Sequence, residues 1–165
     1  MRILLIVLVA ILPFRVRAQQ PSSIDPPAGE KRLLQLKGEG VQIYSCASEN
    51  GAAPAWKFVG PEAKLITEEG SRAGEHYTGP TWKLLDGSEV RGSLVSSKPA
   101  AESGAIPWLL LKGAVVSGGG KLRTVEYITR TDTKGGMAPS SGCDAAHQGT
   151  QSRVLYTATY TFYGK

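Results

Sequence analysis

From 154 to 163 the residues Val154, Tyr156, Ala158, Tyr160 and Phe162 alternate with Leu155, Thr157, Thr159, Thr161 and Tyr163. A period of two written in β-branched and aromatic residues puts one apolar and one hydroxyl-rich face on an extended strand. Such a strand needs a partner layer, and the rest of the chain offers more strands. Residues 41–47 place Val41 and Ile43 on one side and Gln42, Tyr44 and Cys46 on the other. Residues 56–59, 82–85, 90–95 and 124–130 read the same way, with Asp86 and Gly87 as a hairpin turn between the second and third of these. Residues 106–115 are apolar on both faces, as in a central strand, with Pro107 at its start. Gly118, Gly119 and Gly120 turn the chain into a strand beginning near Leu122, and residues 134–141 form a surface loop leading to Cys143. No amphipathic helical stretch is sustained over about twelve residues. The expected fold is all-β, an antiparallel β-sandwich, with a small closed or partly open β-barrel as the alternative.

The N-terminus carries Arg2, an unbroken apolar run over 3–11, Pro13, and small residues at Val16 and Ala18. That is the pattern of a signal peptide over 1–18. The run is too short, and too soon broken by Pro13, Arg15 and Arg17, for a bilayer crossing, which needs about 20 apolar residues. Residues 19–32, with Pro21, Pro26 and Pro27, read as a flexible lead-in to a single β domain over 33–165. Loss of Arg2, Arg15 and Arg17 takes nineteen basic residues to sixteen against fourteen acids. The remaining Lys and Arg are scattered singly, which excludes the clustered basic face of a nucleic-acid binder. In an oxidising compartment, secreted or periplasmic, Cys46 and Cys143 are expected to pair as a disulfide.

Chemistry-bearing motifs are sparse. His76 and His147 are the only histidines, so no metal site and no cofactor is expected. A blue-copper set would need the thiolate that the disulfide consumes, and nothing in the spacing brings both histidines to a carboxylate such as Asp86 or Asp144. Gly-x-Ser-x-Gly, Gly-x-Gly-x-x-Gly and a phosphate loop are absent. The densest cluster is His76-Tyr77-Thr78-Gly79-Pro80-Thr81-Trp82, followed by Asp86-Gly87-Ser88. Aromatic faces beside a histidine and small residues make a pocket wall with polar donors, so His76, Tyr77, Trp82 and Asp86 are the candidate ligand-binding residues, which Trp56 and Trp108 would join. The competing account has the tryptophans filling the core and the glycines setting turns.

Several segments taken in order resemble one known family. They are Gly40-Val41-Gln42-Ile43-Tyr44-Ser45-Cys46, the His76 to Trp82 cluster, Asp86-Gly87-Ser88, Ile106-Pro107-Trp108-Leu109-Leu110-Leu111-Lys112 and Tyr127-Ile128-Thr129-Arg130, with Gly135-Gly136, Cys143-Asp144 and Tyr156-Thr157-Ala158. The likeness, over about 33–163, is to Domain of Unknown Function 3455, whose members are small secreted proteins of bacteria and fungi. It implies no established reaction, and it supports pairing of the two cysteines. Some fungal members carry a malate dehydrogenase label, to which the missing nucleotide-binding pattern runs counter.

The expected function is therefore that of a secreted β-domain protein binding a small molecule or cell-surface component. The alternatives are an extracellular hydrolase or metal-dependent enzyme using His76 and Asp86, and a structural envelope or matrix protein without a concave pocket.

Overall fold

The computed structural model describes residues 23–165; the signal-peptide reading of 1–18 lies outside them. The described residues form eight strands: β1 (Lys31–Ala47), β2 (Ala55–Ile66), β3 (Arg72–Tyr77), β4 (Thr81–Leu84), β5 (Glu89–Lys98), β6 (Trp108–Ser117), β7 (Tyr127–Gly135) and β8 (Gln151–Gly164). Each pairs antiparallel with the next, and β1 also pairs with β8, so the single sheet closes on itself as an up-and-down barrel. The all-β antiparallel expectation holds, in the connectivity of its barrel alternative. Closure leaves no free sheet edge.

The period of two in β8 becomes an inside and an outside: Tyr156, Ala158, Tyr160 and Phe162 are buried, while Leu155 is 77% exposed. In β1 the inward set includes Leu36, Gln42, Tyr44 and Cys46. One half of the lumen is packed solid by Leu36, Leu65, Leu84, Val90, Ile128 and Phe162. Below them Leu122 and Val125, in the β6–β7 connection, plug the base. Residues 121–126 are thus a folded-in turn rather than the start of a strand, because two buried apolar side chains serve better as a stopper than as wall. The β2–β3, β4–β5 and β6–β7 turns lie at this base. The β1–β2, β3–β4, β5–β6 and β7–β8 connections lie at the opposite mouth.

At the mouth, Cys46 and Cys143 are disulfide-bonded with Cα atoms 5.3 Å apart. The bond ties the end of β1 to the β7–β8 loop, which Tyr44 Oη and Trp56 Nε1 also hold by donating to the carbonyls of Gly136 and Ser141. Among the described residues no helix is long and apolar enough to cross a membrane.

Narrowness has its own signature. Gly74 of β3 lies between Leu65 and Leu84, and a Cβ there would run into the Lys83 carbonyl and the Leu84 backbone, which no rotamer change can clear. Gly74→Ala is expected to lower the unfolding free energy by about 2–3 kcal/mol. Gly119→Ala, with open space around it, should stay within about 0.5 kcal/mol of the parent. Urea denaturation of the two variants makes the comparison, and equal midpoints would mean that the wall relaxes.

Candidate functional site

The upper half of the lumen is not filled. A cavity of about 560 Å³ opens at the mouth, lined by inward residues of β1, β3, β4, β6, β7 and β8 and by the β2 segment from Phe58 to Pro61. Its size lies within the roughly 300–1,000 Å³ usual for small-molecule sites. Most of its wall is apolar: Phe58, Val59, Ile106, Pro107, Leu109, Leu111 and Met137. Phe58, Val59 and Met137 are 55%, 43% and 49% exposed, which makes an apolar rim.

His76 and Trp82 are register partners across the β3–β4 hairpin, and their rings stack with centroids 4.3 Å apart. Tyr160 meets both edge-on, its centroid 5.0 Å from His76 and 5.4 Å from Trp82. Gly38 makes room for that ring, since a Cβ there would strike Tyr160. His76 Nδ1 lies 2.8 Å from the Thr81 carbonyl. A carbonyl only accepts, so Nδ1 carries the proton and Nε2 keeps a lone pair. Burial pushes the imidazole pKa down to about 3, and the charge of Arg130 acts in the same direction against the Thr81 bond. His76 is neutral at physiological pH.

Arg130 enters from β7, two residues after the core residue Ile128 and hence on the same inward face. Its register partners are Leu109 on β6 and Tyr160 on β8. Nε and Nη2 donate to the Pro107 carbonyl at 3.1 and 2.8 Å. Burial depresses the guanidinium pKa, and Tyr160, Tyr156 and Tyr44 oppose that. The hydroxyls of Tyr156 and Tyr160 bond each other at 3.1 Å. Two further donors, Gln42 Nε2 and Trp82 Nε1, are buried without a hydrogen-bond partner on residues that line the cavity. Buried orphans of this kind are rare enough to ask for a reason.

The other sequence candidates lie elsewhere. Tyr77, next to His76, points to the opposite face of β3, away from the cavity lining, where burial and the nearby Glu89 raise its hydroxyl pKa. Asp86 sits at the base: its carboxylate accepts from Ser88 N at 2.9 Å, Ser88 Oγ at 2.6 Å and Lys121 N at 2.9 Å, clamping the β4–β5 turn to the plug. Those bonds, the Ser88 hydroxyl first, hold its pKa low. Trp56 and Trp108 stay outside the cavity, and Lys98 lies over the Trp108 ring. His147 pairs with Asp144 at 2.7 Å in an exposed turn. Among the described residues no three His, Cys, Asp or Glu side chains come together as a metal site would require.

Sequence reasoning missed Arg130, Gln42 and Tyr160 as cavity residues. The signal was present for Arg130, since alternation from Ile128 puts a cation on an apolar face.

Comparison with the curated proteins gave no match, and comparison with the solved structures gave none either. A family model described as "Protein of unknown function (DUF3455)" matches residues 27–164, nearly all of the described chain. A match over that length shows that the chain belongs to the DUF3455 family.

Proposed function

We propose that the protein works outside the cytoplasm as a binder of a small, largely apolar molecule, held in the open half of the barrel by His76 and Trp82 together with Gln42, Arg130 and Tyr160. The observation that carries this reading is a roughly 560 Å³ apolar cavity into whose wall two unpartnered N–H donors, Gln42 Nε2 and Trp82 Nε1, are built. A cystine fits an oxidising compartment. A binding role is favoured over turnover because a general base works best with a pKa near the operating pH, and His76, at about 3, is far from it. His76 and Asp86 are also at opposite ends of the barrel, which counts against their serving one reaction.

The neutral dye Nile red tests this. It should bind with one-to-one stoichiometry and a blue-shifted emission. Leu109→Trp, which fills the cavity, should weaken it by about tenfold or more, a loss of about 1.4 kcal/mol. Tyr77→Phe and Asp86→Asn should bind as the parent does. Absence of the blue shift, or indifference to Leu109→Trp in a folded variant, would sink the proposal.

A further inference from the structure

The chemistry of the cavity wall carries the reading one step further, and this step rests on the binding role just proposed. We propose that the ligand is a monocarboxylate with an apolar body, its carboxylate on Arg130 and its tail toward the apolar rim. Among the described residues Arg130 is in no ion pair, and the cavity lining contains neither Asp nor Glu. The guanidinium has instead a neutral partner, the Pro107 carbonyl, and tyrosine hydroxyls around it. A cation drawn into an apolar wall without a counter-charge is costly, and an anion supplied from outside offsets that cost.

Donor and acceptor counts agree. Guanidinium offers five N–H groups, and Pro107 takes only two of them, from Nε and Nη2. Gln42 Nε2 and Trp82 Nε1 add donors without acceptors. An ionised carboxylate accepts about four hydrogen bonds and donates none, which is the complement of this set.

The charge count separates carboxylate from phosphate. Arg130 is the only Lys or Arg in the lining, and His76 is neutral there. One fixed positive charge matches one negative charge, whereas a phosphate monoester carries nearly two at neutral pH. The side chains of Ile106, Leu109, Leu111 and Met137 give the tail an apolar wall with no second charge.

The experiment is displacement of Nile red from the full, oxidised protein at about pH 8 by dodecanoate, dodecan-1-ol and dodecyl phosphate, which share one tail. Dodecanoate should displace the dye at a concentration about tenfold or more below that needed by either of the others, as expected when a charge-assisted hydrogen bond is at stake. Arg130→Gln should weaken dodecanoate about tenfold more than it weakens dodecan-1-ol, which removes that preference. Arg130→Lys, which keeps the charge, should retain part of it, and serves also if the Gln variant fails to fold. Equal competition by acid and alcohol, or equal loss of both in Arg130→Gln, would overturn the carboxylate assignment and leave the cavity reading standing. Stronger competition by the phosphate would overturn the monoanion. Failure of Nile red itself to bind would remove both proposals together.

Discussion

Opening the Cys46–Cys143 bond should lower the unfolding free energy by about 3–4 kcal/mol. The two cysteines are 97 residues apart in sequence, and closing so long a loop in the unfolded chain removes entropy worth about 4–5 kcal/mol in the simplest account; residual structure in the unfolded state reduces the figure. The folded state should survive at the mouth, because other contacts hold the same elements. Cys46 N donates to Thr150 O and Gly149 N to Cys46 O, each at 2.9 Å, and the Tyr44 and Trp56 side chains anchor the loop independently. The comparison is urea denaturation of the oxidised parent against Cys46→Ala/Cys143→Ala, with the reduced parent as a second arm. A drop in midpoint is the expected result, with a slope that rises as the unfolded chain, no longer cross-linked, expands. Unfolding free energies within about 0.5 kcal/mol of each other would mean that the bond contributes only to the mouth and not to the chain as a whole.

How far the residues announce this architecture depends on how many constraints act on each segment. Strand β8 reads correctly from alternation alone because its two faces differ in chemistry at every step, Leu155 being the one outward apolar exception. Strand β3 is the opposite case. Its residues, Arg-Ala-Gly-Glu-His-Tyr, include the poor strand formers Gly74 and Glu75, and it is extended because β2 and β4 pair with it on both sides. The inward positions there must be small or flat, which is what Gly74 and His76 supply.

The candidate site was half legible for a similar reason. His76 and Trp82 are brought together by a hairpin whose turn, through Gly79 and Pro80, is written in the sequence. Asp86 follows Trp82 by only four residues, but four residues of extended chain cover about 13 Å and carry it to the base of the barrel. Proximity in sequence is a poor guide to proximity in a strand-built site. Arg130, Gln42 and Tyr160 come from strands far apart in the chain, and only closure of β1 on β8 puts them around one cavity.

Burial of His76 gives the second large effect, a loss of stability in mild acid. The unfolded imidazole protonates near its ordinary value of 6.5, while the folded one does so only at about 3. Between those values the unfolded state binds one proton more than the folded state, so stability is complete above the unfolded pKa and falls as pH falls through the interval. At about pH 5 the loss depends almost entirely on the unfolded value and comes to roughly 2 kcal/mol relative to pH 7. The groups that face the ring explain why the folded state does not accept the proton. Trp82 stacks on it, Tyr160 meets its edge, the Thr81 carbonyl takes Nδ1–H, and the only full charge acting on it is the cation Arg130. Urea denaturation at about pH 7 and 5 should show the drop in the parent, and His76→Phe or His76→Gln should lose most of it. The other histidine, His147, is exposed in its turn with Asp144, and His147→Gln leaves the His76 contribution in place. In NMR spectra the His76 ring signals should stay fixed over the interval in which free imidazole titrates. A ring that titrates near 6.5, or a parent equally stable at both pH values, would contradict the burial that also builds the wall of the cavity.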